Sequence, residues 1–380
     1  MRSPLFVSTH EKGFMGRDTK SGVVDFFSTK YYQYKNMRPN FFHHLHPPTI
    51  PTAQARWRYT LGAGGTAIFL MLVLVISGAL EMFYYIPTPA DAALSIQTIT
   101  YLVPFGGLIR NIHFWSAQLL IIVSAVHLLR VVFTGAYIPP RRFNYLLGLA
   151  LFVFSILLNF TGYILRWDTG IQWALVVGTN LIKTIPLIGN NFYLLLIGGS
   201  EPGSSTLIRF YAWHIFGLAI VTAILIGWHA FRIRRDGGIA LPPPSLRTDP
   251  NRISRFELVR RETLAMILTS AALIVLSIFS PAPIAPPIVK LASIAADSRA
   301  PWFFLWVQQM LKWGDPFFWG VLVPVGILLI LALIPYIFPK PLESELGRWF
   351  PRSSRLAQIV LALIALLVIL LTVLGSLPIL

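Results

Sequence analysis

RNIHFWSAQLLIIVSAVHLLRVVFTG, residues 110–135, decides how this chain folds. Between Arg110 and Arg130 the stretch is almost wholly apolar or small, apart from His113 and His127, which stand 14 residues apart. As a helix rising about 1.5 Å per residue, the stretch spans the ~30 Å hydrocarbon core of a bilayer. An imidazole at that depth is expensive and needs a partner. The stretch therefore reads as a membrane-crossing helix carrying two groups that something must satisfy.

Six further runs share its length and composition. The spans read as 61–86, 110–135, 143–165, 208–231, 262–281, 317–338 and 356–378, an all-α membrane protein of seven transmembrane helices. Composition agrees: 55% of the residues are hydrophobic and 12% charged, too apolar for an ordinary soluble domain. The apolar stretch at 185–199 is broken by Gly189, Asn190, Asn191 and Gly198, and reads as a surface or interfacial segment. Residues 1–57 contain no apolar core of a cleavable signal. The absence of cysteine excludes disulfides, cysteine-ligated clusters and thioether-bound haem on this chain.

A net charge of +16 raises the possibility of nucleic acid, so its distribution matters. With the N-terminus cytoplasmic, segments 1–58, 130–142, 232–262 and 340–355 lie inside; they hold 24 of the 31 Lys and Arg and 9 of the 15 Asp and Glu. The opposite side holds the other 7 and 6. The excess thus follows the positive-inside rule, which places the C-terminus outside and leaves no basic surface for nucleic acid to explain.

Residues 1–57 are basic and aromatic, as in Phe26-Phe27, Tyr31-Tyr32 and Phe41-Phe42, and suit a cytoplasmic arm along the lipid interface. A linker at 235–258 contains Gly237-Gly238 and Pro242-Pro243-Pro244. It separates a domain at 58–238, which carries every intramembrane histidine, from one at 239–380, which has none. The expected architecture is a cofactor-bearing four-helix bundle followed by a three-helix module.

The histidines form two pairs. His113 and His127 lie on the second span, and His214 and His229, 15 apart, on the fourth. At 100° per residue, 14 steps return to within about 40° of the starting direction and 15 to within about 60°. Each helix offers two imidazoles on roughly one face, about 21–22 Å apart in depth. Both helices run inward, so His113 meets His214 near the outer surface and His127 meets His229 near the cytoplasmic one. Haem is the cofactor that takes two axial imidazoles in an apolar slot, and six-coordinate iron suits electron transfer.

Gly64 and Gly78 on the first span, and Gly148 and Gly162 on the third, repeat the 14-residue interval. Small residues also serve plain helix packing. Two glycine pairs in step with the histidines instead suggest close backbone approach to a flat ring. Arg110, Arg130 and Arg209 lie three, three and five residues from His113, His127 and His214, where haem propionates need cations. Each alone would pass as an interfacial arginine. Glu81, the one carboxylate within a span, has as its plainest reading a hydrogen bond to the loop that follows.

Several stretches carry a family resemblance: FYYIPTP (83–89), LIRNIHFWSA (108–117), HLLRVVFTGAY (127–137), GYILRWD (162–168), TIPLIG (184–189) and STLIRFYAWH (205–214). The chain resembles the cytochrome b subunit of bc-type quinol:cytochrome c oxidoreductases, with a b6-like half fused to a half resembling subunit IV. The resemblance implies a bacterial cytoplasmic membrane and two non-covalent haem b groups. The low-potential haem would lie on His113 and His214, the high-potential haem on His127 and His229. It implies quinol oxidation at the outer side, with one electron going to a Rieske iron–sulfur protein and on to a c-type cytochrome. The other would cross through both haems to a quinone at the inner side, where Arg234 and Asp236 match. It also implies a homodimer in a proton-translocating respiratory or photosynthetic complex.

Three positions depart from the family. Its outer-loop motif Pro-Glu-Trp-Tyr is matched here by Ala300-Pro301-Trp302-Phe303, without the glutamate held to accept a quinol proton. Asp297 and Asp168 are the nearest outer-side acids in sequence. Arg166 replaces a proline at the edge of the same pocket, which Pro301, Trp302, Phe303 and Tyr163 would line. Gly62 replaces the cysteine that anchors a further haem in b6-type proteins, so a cysteine-anchored haem is not expected. Two other readings stay open: a di-haem transmembrane carrier that does not bifurcate electrons, and the anchor of a quinone-linked dehydrogenase, against which the seven spans argue. A transporter would leave the four histidines unmatched.

Overall fold

The computed structural model describes residues 46–247, 249–288 and 299–377. The aromatic pairs of the N-terminal arm and Asp297 lie outside them. Among the described residues seven helices are long and apolar enough to cross a membrane. They are α1 (Ala63–Met82), α3 (Gly106–Phe133), α4 (Arg142–Ile164), α7 (Ser204–Arg235), α8 (Arg255–Phe279), α10 (Phe318–Ile337) and α11 (Arg352–Ser376). Short helices lie between them: α2 (Ala92–Tyr101), α5 (Gln172–Lys183), α6 (Gly189–Ile197) and α9 (Leu305–Leu311).

The spans turn large apolar side chains outward. Val75 and Ile76 of α1, Ile267 and Ile278 of α8, and Leu363, Leu366 and Ile369 of α11 are all exposed. A helix that is apolar on its outer face as well as its inner one is built for lipid. Toward the interior, Leu70 of α1, Leu120 of α3 and Leu273 of α8 share one buried cluster. A second joins α3, α4, α10 and α11 through Val132, Tyr145, Leu149, Ile334 and Leu361. A third gathers Ile164, Trp167, Leu175, Tyr193, Ile197, Leu207 and Phe210. That third cluster explains α5 and α6: the segment expected at the surface is half packed, with Tyr193 and Ile197 buried while Leu187 and Leu195 face outward.

The last three spans are pinned to the first four by polar bonds that lipid cannot contest. Asn111 on α3 donates from Nδ2 to the Ser277 carbonyl at 2.9 Å and accepts from the Ala282 amide at 2.9 Å. Tyr145 on α4 donates to the Leu331 carbonyl at 2.8 Å. Near the start of α1, strand β1 (Thr49–Pro51) pairs antiparallel with β2 (Arg252–Ser254), and Gln54 donates to the Gly237 and Ile239 carbonyls. Gly106 lets α2 turn tightly into α3: a β-carbon there would stand 2.1 Å from the Ile99 carbonyl oxygen.

α7 is not uniform. Trp213–Gly217 forms one π turn between α-helical stretches Ser204–Ala212 and Leu218–Arg235. A π turn holds one residue more than an α turn before the chain regains its path. It therefore absorbs the extra residue between His214 and His229 and brings the fourth span into step with the second. The 60° offset expected from an unbroken α-helix becomes the offset of about 40° that 14 steps give on the second span. Gly217 makes the turn possible, since a β-carbon on it would lie 2.4 Å from the Trp213 ring.

Candidate functional site

The π turn and the straight α3 face each other with their histidines level. The His113 and His214 rings have centroids 6.4 Å apart and planes 65° apart. Metal–imidazole bonds of about 2.0–2.1 Å, with roughly 1 Å from each nitrogen to its ring centre, put two rings on one metal about 6 Å apart. Six residues before the C-terminal ends of α3 and α7, His127 lies within electrostatic reach of His229.

Each imidazole is seated against a glycine of a neighbouring helix. A β-carbon on Gly162 would stand 2.7 Å from His214 Cε1, and one on Gly78 3.0 Å from His113 Cε1. At the inner pair the distances are 3.2 Å for Gly64 to His127 and 3.2 Å for Gly148 to His229. The glycines, expected to clear space for a flat ring, thus clear space for the imidazole rings. All four sequence-predicted glycines and all four histidines are engaged.

The outer imidazoles have a further contact. Ser77 Oγ lies 3.0 Å from His113 Nδ1, and Thr161 Oγ1 lies 3.1 Å from His214 Nδ1. With Nδ1 held on the glycine side, Nε2 is left as the metal-binding nitrogen. Neither hydroxyl was singled out from the sequence, although each directly precedes a seat glycine. Among the described residues no third acidic, histidine or cysteine ligand joins either pair. A metal satisfied by two imidazoles in an apolar slot is one already held by a macrocycle, and the residues present fit haem b.

The arginines differ in how committed they are. Arg110 is buried and donates to the Ala282 and Pro283 carbonyls at 3.2 and 2.7 Å. Arg130 is buried beside the Tyr59 ring, and its Nε has no hydrogen-bond partner, which suits an anion. Arg209 donates to the Leu194 and Leu195 carbonyls at the end of α6.

Just beyond the C-terminal end of α4, Arg166 and Asp168 form a buried ion pair at 2.6 Å. Asp168 also accepts from the Ala285 amide at 3.1 Å, and its backbone bridges Pro287. Arg166 lies over the Tyr163 ring, whose hydroxyl donates to the Gly170 carbonyl at 2.6 Å. Asp168 is thus bound into the loop through Oδ2, while its Oδ1 is buried without a hydrogen-bond partner. Trp302 donates through its indole N–H to Gln118 Oε1 at 2.7 Å, and Gln118 donates to Asn159 Oδ1 at 3.2 Å. Phe304 packs edge-on to Phe160, one turn before Tyr163, so loop 301–304 lies over α3 and α4. Gln118 and Asn159 gave no signal in sequence beyond being amides inside spans.

Glu81 departs from expectation: its Oε1 is buried with no hydrogen-bond partner, so that oxygen makes no bond to the following loop. It lines a cavity of about 450 Å³ with Tyr84, Val103 and Ile109. At the C-terminal end of α7, Asp236 pairs with Arg235 at 2.8 Å, and Arg141 donates to its backbone carbonyl at 2.7 Å. Burial lowers the affinity of the Arg141 guanidinium for its proton, and the Asp236 carboxylate partly restores it. Arg234 is exposed and lies within electrostatic reach of Glu262.

Residues 118–287 match the family described as cytochrome b (N-terminal)/b6/petB. Cytochrome b6 of Heliomicrobium gestii is 38% identical over 174 residues, which are 46% of this chain and 82% of that protein. Cytochrome b6 of Gracilaria tenuistipitata var. liui is 39% identical over 174 residues, 46% of this chain and 81% of its own length. Cytochrome b6 of Heliobacterium modesticaldum is 37% identical over 192 residues, 50% of this chain and 88% of its own. A chain of a hyperthermophilic respiratory Complex III superposes with a TM-score of 0.75 at 20% identity, covering 93% of this chain and 91% of that one. That last likeness is one of fold.

Proposed function

From the premise that this chain belongs to the cytochrome b/b6 family of bc-type cytochromes, we propose that it oxidises quinol at the outer side and passes electrons inward to a quinone. Family membership implies haem b, an integral membrane protein and a redox role. The two-haem count, the quinone sites and the partners are this proposal's own. The observation that carries it is the fourfold glycine–imidazole seating, with the outer rings 6.4 Å apart. His113 and His214 would hold the outer haem, and His127 and His229 the inner. Bound haem supplies one-electron transfer between two states of iron.

The chain's own residues supply the surroundings. Gly64, Gly78, Gly148 and Gly162 seat the ligands, and Arg110, Arg130 and Arg209 stand where propionate charge needs cations. Pro301, Trp302 and Phe303 with Tyr163 and Arg166 would form the outer quinol pocket, and Arg234 with Asp236 the inner quinone site. The curated relatives match about half of this chain. The proposed organisation is a b6-like domain at 58–238 fused to a subunit IV-like domain at 239–380. A Rieske protein, a c-type cytochrome and a second copy of this chain are the proposed partners. A bacterial cytoplasmic membrane is proposed from the resemblance, and an N-terminus inside from the charge distribution.

A second reading, electron transfer without bifurcation, is favoured by one observation: Ala300-Pro301-Trp302-Phe303 carries no carboxylate where the family motif has glutamate. The test is a reduced-minus-oxidised spectrum with redox titration of the purified complex, followed by quinol reduction with an inner-site inhibitor present. Two b haems per chain, reduced only when the Rieske protein is present, support bifurcation. Haem reduction without it favours the second reading, and absence of b-type bands overturns both.

A further inference from the structure

The two histidine pairs are held differently. Ser77 Oγ lies 2.7 Å from the Val73 carbonyl and 3.0 Å from His113 Nδ1. A hydroxyl has one proton to give and lone pairs with which to accept. Its proton goes to the carbonyl four residues back, the common bond of a helical serine. Oγ therefore meets Nδ1 as an acceptor, and the proton between them belongs to the imidazole. Thr161 repeats the arrangement on α4: Oγ1 lies 2.9 Å from the Leu157 carbonyl and 3.1 Å from His214 Nδ1. Both outer rings are thereby fixed with the proton on Nδ1 and the lone pair on Nε2.

The inner pair lacks this device. Ala63 and Leu147 occupy the places before Gly64 and Gly148, and neither has a hydroxyl. A backbone carbonyl lies beside three of the four rings, that of Leu74 at His113, of Leu158 at His214 and of Asn144 at His229, so it does not divide the pairs. The Nδ1 atoms of His127 and His229 have no side-chain hydrogen-bond partner. The difference is therefore two hydroxyl acceptors at the outer pair against none at the inner.

We infer that Ser77 and Thr161 are positioning residues that lower the reduction potential of the outer haem relative to the inner one, an inference that rests on the di-haem reading above. An acceptor on Nδ1–H makes the opposite nitrogen a stronger donor. A stronger axial donor favours the oxidised iron, so the outer site holds its electron less tightly than an unassisted pair would. Two imidazole pairs of the same composition are set apart by the residue preceding each seat glycine. The downhill direction from outer to inner is thus written into the helices themselves.

The experiment is redox titration of the purified complex carrying the full chain, followed optically and by electron paramagnetic resonance of the ferric haems. His113→Leu identifies which titration component is the outer one. Ser77→Ala and Thr161→Val are expected to keep two b haems per chain and to raise the outer midpoint, leaving the inner in place. Thr161→Ser restores the original value. Leu147→Thr, which places a hydroxyl beside His229, is expected to lower the inner midpoint. This last variant keeps the test open if Ser77→Ala sheds its haem. Two haems retained with both midpoints unmoved in Ser77→Ala, Thr161→Val and Leu147→Thr overturn the inference while leaving the di-haem reading intact. A wild-type chain without b-type haem overturns that reading as well.

Discussion

Gly162 and His214 make the tightest of the four glycine–imidazole contacts, with 2.7 Å between a β-carbon built on the glycine and Cε1 of the ring. The neighbour is a ring locked between helices, so it cannot swing aside. Gly162→Ala is expected to cost about 1–3 kcal/mol by overpacking and to weaken binding at the outer site roughly tenfold or more. Gly64→Ala, at 3.2 Å, is expected to be milder. Haem content per chain, measured as the pyridine complex, ranks the two; equal loss in both would refute the seating.

Removal of one ligand tests the pairing. His127→Leu is expected to abolish the inner haem and leave the outer one titrating at its original potential. His113→Leu is expected to do the reverse. If either variant loses both haems while still inserting as a stable protein, the two sites are not independent pairs.

Arg166 and Asp168 are 12% and 3% exposed at the side chain and 2.6 Å apart. Breaking a buried pair from one side leaves an uncompensated charge, a loss of about 3–5 kcal/mol. Asp168→Asn is therefore expected to lower the thermal midpoint and to open the 282–287 loop to protease. The Arg166→Met/Asp168→Leu double variant should be less damaging than Asp168→Asn. An unchanged melting profile for Asp168→Asn would refute this.

Gln118 joins Trp302 to Asn159 through bonds of 2.7 and 3.2 Å. Gln118→Leu strands the indole N–H and the Asn159 carbonyl oxygen, costing about 1–3 kcal/mol. In a double-mutant cycle with Trp302→Phe, the two losses should be clearly less than additive. Strict additivity would show that the bond carries no weight.

Glu345 accepts from the Ser353 hydroxyl and from the Ser353 and Arg352 amides. These bonds hold its carboxyl below the usual carboxylate range. A carboxyl with a lowered value stabilises the fold above its unfolded value and loses that contribution as pH falls through the folded one. The 340–355 segment should therefore loosen on acidification below about pH 4–5, as read by amide exchange. Glu345→Gln should remove the acid dependence; an equal acid response in that variant would locate the cause elsewhere.

Much of this was legible in the residues, because the two signals involved are local. Apolar runs of membrane length announce the spans, and histidines at helical intervals announce paired ligands. Tyr193 and Ile197 were less legible: their burial depends on α5 and α7 folding over them, which no interval within 185–199 encodes. Ser77 and Thr161 read as ordinary small residues until the facing helix brings an imidazole to each hydroxyl. The bond that Asp168 accepts from the Ala285 amide was not legible, because the two lie 117 residues apart. The bond made by Trp302 to Gln118 is likewise visible only once loop and span are juxtaposed.

The widened turn at Trp213–Gly217 bears on how such chains are compared with one another. An insertion within a lipid-embedded helix is commonly supposed to rotate everything beyond it. Here the surplus is swallowed within five residues, and depth and facing are restored before His229 is reached. Ligand intervals of 14 and 15 can therefore describe one and the same cage. The interval alone does not report the register of such a pair; Gly217, three residues beyond His214, marks where the slack is stored.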